Sequence, residues 1–208
     1  MAKLKIDVWS DYVCPFCYVE LPVLDRIQLE FGGQVEIEWH SFELYPASDP
    51  DARPNVHEEK KMFERKVIPM ARDVGLKMRF SSHYPRTRMA LEAAEFARIH
   101  GKYDQMHRAI FRAYYEEGQD IGRMPVLLDL ARLAGLEPKL LREALRNKSF
   151  QPIIEEDEAL ADELELDGVP ALIVTLPGES LYEGRRVTEA VGYSELRGAL
   201  NELLREAA

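Results

Sequence analysis

Hydrophobic periodicity changes twice along this chain, and those changes limit the folds open to it. Residues 4–9 form a short apolar run of buried-strand length, and Val35-Glu36-Ile37-Glu38-Trp39 alternates like a strand with one buried face. Between them Val19, Val23, Leu24, Ile27 and Phe31 recur at helical spacing, and Gly32-Gly33 is a helix stop. Pro15 and Pro22 bracket the start of that helix. The opening is therefore β–α–β.

The period then becomes helical. Residues 46–57 are a polar loop with Pro46, Pro50 and Pro54, and from about 56 to 166 the pattern is almost wholly helical. Met62, Phe63, Lys66, Val67 and Met70 mark one helix; Met89, Ala93, Phe96 and Ala97 a second; Met106, Ala109, Ile110, Ala113 and Tyr114 a third. Pro125 opens the next and Gly135 follows it. Leu140, Leu141, Ala144 and Leu145 make a short successor. Ile153, Ile154, Leu160, Ala161 and Leu164 make an acidic helix whose first turn is Glu155-Glu156-Asp157-Glu158, read as solvated. The strand signal returns at 171–175, with a turn at Pro177-Gly178-Glu179 and a partner strand expected at Leu181-Tyr182-Glu183. A terminal helix with Leu196, Ala199, Leu200 and Leu203 on one face follows, Ser194 being its expected cap. This order is an α/β domain built from 1–50 and 151–208, interrupted by a helical insertion at 51–150.

The only two cysteines, Cys14 and Cys17, fall at the first strand-to-helix junction. A Cys-X-X-Cys pair can close a small disulfide ring, and a helix N-terminus gives its first thiol an electrostatic reason to ionise. The rival is a zinc half-site, which needs two further ligands. None of His40, His57, His83, His100 or His107 has zinc-finger spacing to the pair, so no metal is expected. With 208 residues and 46% hydrophobic content the core needs no disulfide staple. The net charge of −10 speaks against nucleic acid and anionic membranes as partners. The N-terminus lacks a secretory signal pattern, which points to the cytoplasm, where a lone cysteine pair is redox-active more often than structural.

Cys14-Pro15-Phe16-Cys17 after a first strand, with Gly168-Val169-Pro170 late in the chain, resembles the DsbA-like branch of the thioredoxin superfamily. Trp39-His40-Ser41-Phe42-Glu43-Leu44-Tyr45-Pro46 resembles a segment of its FrnE-type subgroup, related to 2-hydroxychromene-2-carboxylate isomerases and kappa-class glutathione transferases. The resemblance implies a thioredoxin-like fold with a large helical insertion and thiol–disulfide exchange with protein, peptide or small thiols. It implies glutathione as a co-substrate and no other cofactor, in a monomer or homodimer. It also implies a cis bond between Val169 and Pro170, facing the cysteines and offering the Val169 backbone to a substrate. Cys14 would be the attacking thiol and Cys17 the buried, resolving one. Those isomerase and transferase relatives carry serine where this chain has Cys14, which favours redox chemistry over glutathione-dependent isomerisation.

Two departures bear on the chemistry. Phe16 stands where DsbA-like oxidants carry a histidine that stabilises the thiolate, so a less oxidising couple is expected. Val8 stands where thioredoxin-type enzymes carry a buried acid, and strand alternation turns Asp7 to the opposite face. Asp11, in the active-site loop, and His40, after the second strand, remain as possible contributors. Tyr12, with Phe16 and Tyr18, is expected on an apolar rim that binds a peptide, and Trp9 in the core. A peptide-binding or chaperone-like module using the helical block is the non-enzymatic alternative.

Overall fold

The computed structural model describes residues 4–49, 52–188, 190 and 192–206. Among these, β1 (Leu4–Ser10) leads into α1 (Pro15–Phe31) and β2 (Val35–Ser41). Then come α2 (Val56–Met62), a π turn (Phe63–Val67), α3 (Ile68–Asp73), α4 (Arg88–Ile99), α5 (Tyr103–Tyr115), α6 (Met124–Leu133), α7 (Pro138–Arg146) and α8 (Gln151–Glu163). The chain closes with β3 (Ala171–Thr175), β4 (Arg185–Thr188) and α9 (Tyr193–Glu206). The sheet order is β2-β1-β3-β4, with β1 parallel to β2 and antiparallel to β3.

Alternation along β1 divides the molecule. Leu4, Ile6 and Val8 face α1 and α9, where they join Leu24, Ile27, Leu172, Val174, Leu196 and Leu200 in one buried cluster. Trp9 faces the other way, with Ala161 and Leu164 of α8 and Ile173 of β3. The largest cluster belongs to the helical block, and it absorbs the start of α1: Tyr12, Cys14, Cys17 and Tyr18 pack with Phe63, Met106 and Phe111. The cysteine loop therefore sits where sheet and helical block meet.

Several expectations are corrected. Pro22 lies inside α1 instead of near its start, which Pro15 occupies directly after Cys14 as N-cap. The helical block is broken over 76–87, which carries no helix. The acidic run is not the first turn of α8, which begins at Gln151 with Pro152, and it is not fully solvated: Asp157 binds His40 and Glu158 binds Arg88. Leu181–Glu183 is turn, and the partner of β3 is Arg185–Thr188. Local side-chain bonds hold this turn, since the Glu179 carboxylate accepts the Leu176 N–H and the Glu183 carboxylate accepts the Ser180 N–H. Ser194 lies within the first turn of α9 instead of capping it.

Candidate active site

Cys14 is the N-cap of α1, with extended backbone (φ −83°, ψ 113°), and both cysteines are free thiols. Pro15 follows at the head of the helix, where its missing N–H costs no intrahelical bond. The loop before it is anchored from several sides. The Cys14 N–H donates to the Asp11 carbonyl (3.1 Å), and the Tyr115 hydroxyl donates to the Val13 carbonyl (2.6 Å). Across the cleft the Val169–Pro170 peptide bond is cis, and the Cys14 thiol donates to the Val169 carbonyl at 3.1 Å.

Cys14 is not openly exposed: 3% of its surface is accessible, against 1% for Cys17. Burial pushes the Cys17 thiol well up, helped by its hydrogen bond to Cys14 and by Cys14's charge; the Asp11 backbone and Ser10 pull the other way. Phe16 is half-buried and lines a cleft of about 270 Å³ with Lys66, Met70, Val169, Pro170 and Ala190. The π turn before α3 helps form this wall. Phe63 and Val67 are buried, whereas Lys66 and Met70 look into the cleft. A lysine within an otherwise apolar helical stripe was the sequence signal for this wall.

The other candidate residues fall elsewhere. Tyr12 is 1% exposed and is no rim residue; its hydroxyl bonds the His107 ring Nδ1 at 2.9 Å. Burial, aided by the Arg108 and Arg98 charges, lowers the His107 pKa to about 3 and keeps the ring neutral. Tyr18 likewise stacks inward on Phe111 and Tyr115, with its hydroxyl on Glu116. His40 stacks on Trp9 and bridges two carboxylates, Asp157 through Nδ1 and Asp7 through Nε2, each at 2.8 Å. Burial alone would lower its pKa, but hydrogen bonds to Asp157 and Asp7 outweigh it and raise it to about 9. Burial would raise the pKa of Asp7, yet His40 and Lys5 bring it below the usual value. No local pattern signals this triad, because Asp157 lies 117 residues from His40.

Asp11 is the exception. It is fully buried, and its two carboxylate oxygens accept separate backbone donors, Val13 N–H at 3.4 Å and Leu44 N–H at 2.7 Å. Among the described residues no three His, Cys, Asp or Glu side chains form a metal-holding group.

A Cys-X-X-Cys pair whose first thiol caps a helix, on a sheet interrupted by a helical block, is the arrangement of a DsbA-like protein. The DSBA-like thioredoxin domain model matches residues 5–201, and the chain belongs to that family. It is 32% identical to the uncharacterized protein YwbO of Bacillus subtilis over 187 residues, covering 87% of this chain and 90% of that one. The probable DsbA oxidoreductase SCO1869 of Streptomyces coelicolor superposes with a TM-score of 0.83 at 22% identity, over 98% of this chain and 91% of that one. The cytosolic disulfide reductase DsbM of Pseudomonas aeruginosa does so at 0.71 and 19%, over 97% and 98%, and has also been solved with GSH. At these identities the two structures establish the fold.

Proposed function

We propose that this protein is a dithiol–disulfide oxidoreductase in which Cys14 exchanges with substrate and Cys17 resolves. The carrying observation is the Cys14 thiol at the head of α1, 3.1 Å from the carbonyl of Val169, a residue that lines the cleft with Phe16 and Pro170. In the reducing direction the Cys14 thiolate attacks a substrate disulfide. One S–S bond forms to Cys14, the substrate bond breaks, and the departing sulfur leaves as a thiolate that takes up a proton. Cys17 then loses its proton, attacks the Cys14 sulfur and expels the second substrate thiolate, leaving the Cys14–Cys17 disulfide. The substrate gains two electrons and two protons and the enzyme dithiol loses them. Oxidation runs the same steps backward.

The shift at Cys17 gives the order of events. Two of the causes that raise it, the hydrogen bond to Cys14 and the Cys14 charge, vanish once Cys14 is joined to substrate. Burial then remains, opposed by Ser10 and the Asp11 backbone. Cys17 is thus held protonated before capture and eased toward the thiolate after it. The half-buried Val169, lining the cleft beside Cys14, suits an extended peptide that would pair with its backbone as an added strand.

Glutathione is a second substrate reading, supported by Lys66, which lines the same cleft as Pro170 and carries a charge suited to a carboxylate of a small thiol. The cytoplasm, as the compartment, accords with a cysteine pair reserved for chemistry. Among the described residues no helix is long and apolar enough to cross a membrane.

The test is insulin-disulfide reduction together with trapping. Cys14→Ser should abolish turnover, and Cys17→Ser should accumulate a mixed disulfide at Cys14; a fully active Cys14→Ser protein would sink the proposal. The reduction potential then sets the direction, with about −270 mV marking a thioredoxin-like reductant and about −120 mV a DsbA-like oxidant.

A further inference from the structure

Asp11 occupies a position that the exchange steps above leave unused. Its carboxylate spans three parts of the chain: Val13 in the cysteine loop, Leu44 after β2, and Thr87 at the cap of α4, whose side chain also hydrogen-bonds it. Its carbonyl holds the Cys14 N–H, so it grips the reactive residue as well. Both carboxylate oxygens accept backbone N–H donors, and a proton on either removes the charge that strengthens those bonds. The charged and titratable groups around it come from several elements, beginning with Tyr12 beside it and Cys17 of α1, which its backbone bonds. Cys14 lies in its own loop, and Glu43, itself paired to Arg88, and Tyr45 lie after β2. Tyr114 and Tyr115 lie on α5. Burial pushes the Asp11 carboxyl up to about 7, opposed by the bonds from Leu44, Thr87 and Val13 and reinforced by the Glu43 charge.

We propose that Asp11 is a positioning residue for the dithiol: its ionised carboxylate holds Val13 and Leu44 in place, proton uptake loosens that hold, and the reactivity of the Cys14 thiolate follows the charge on Asp11. No proton passes between Asp11 and substrate in this scheme. Its importance for turnover rests on the oxidoreductase reading, but the loop device itself can be tested without it.

The experiment uses the full chain in a Cys17→Ala background, where Cys14 is the sole thiol. The rate of iodoacetamide alkylation is divided by the thiolate fraction, read separately from ultraviolet thiolate absorbance, across the pH range. This removes the titration of Cys14 itself. The normalised rate should change roughly fivefold through an inflection near neutrality, the scale of one ordinary hydrogen bond. Asp11→Asn should flatten the profile. A folded Asp11→Asn protein with the inflection intact, or a flat profile with Asp11 present, overturns the proposal. Should Asp11→Asn fail to fold, Thr87→Val removes a bond that favours the ionised form and should move the inflection to higher pH; an unmoved inflection also overturns it. Insulin reduction by the unaltered protein separates the two claims. Activity with a flat normalised profile rejects the positioning role and keeps the oxidoreductase, whereas an inflection without any exchange activity does the reverse.

Discussion

At the scale of single residues, chemistry and scaffold use similar side chains in different surroundings. His40 is the clearest scaffold case. Its imidazolium sits between Asp7 and Asp157 and joins β1, β2 and α8. The unfolded chain releases this proton near pH 6.5 and the folded one near 9, so the stabilisation is complete below about 6.5 and lost as pH rises through 9. Asp11, raised to about 7, has finished titrating for most of that interval. Urea unfolding should therefore show stability falling between pH 7 and 9, by about 2 kcal/mol. His40→Gln should cost about 3 kcal/mol at pH 7, because it leaves Asp7 buried with only Lys5, and should remove most of the alkaline slope. The placement of the cysteine pair at a strand–helix junction was legible in the sequence, since it follows from the change of period on either side. The role of Tyr12 was not: its partner His107 is 95 positions away, and an aromatic beside a reactive motif looks the same from the sequence whether it faces substrate or core.

At the scale of elements, β1, α1, β2 and β3 were legible because each carries its own period and boundary residues. The partner of β3 was misplaced because pairing there is decided by close backbone approach instead of side-chain pattern. Gly184 leaves no room for a side chain; a Cβ there would stand 2.5 Å from Ile173 Cγ2 and 2.8 Å from Thr175 Cγ2. The chain thus passes tightly over β3 at Gly184 and enters β4 at Arg185. Gly184→Ala should lower stability by about 1–3 kcal/mol through overpacking, read as a reduced melting temperature. Faster amide exchange in β4, with β1 and β2 unchanged, would locate the damage. The acidic run in α8 teaches a related lesson. Its charge density suggested solvent, yet two of its four carboxylates meet cations carried by β2 and α4.

At the scale of the whole molecule, the helical block is more than an appendage to the sheet. Its hydrophobic cluster contains both cysteines, and residues from α2 to α5 frame the reactive loop. The division into a sheet domain and an insertion could be read from the order of periods, but this sharing of one core across the division could not, since it depends on long-range packing. The same joint supplies the cleft, whose one lysine comes from the helical block and whose proline comes from the sheet side. Lys66→Glu should raise KM for glutathione several-fold while insulin reduction changes little; parallel losses for both substrates would assign Lys66 a structural role. The π turn at Phe63–Val67 has a further consequence. A π turn holds one more residue than the α turn it replaces, so the helix on either side keeps its facing while the extra residue is absorbed. Excising one residue there would restore regular winding and leave Met70 aimed at the cleft, whereas the same deletion inside α3 ahead of Met70 would rotate everything after it by about 100°. The turn thus gives this wall a tolerance for a change in chain length that a catalogue of point substitutions would overlook.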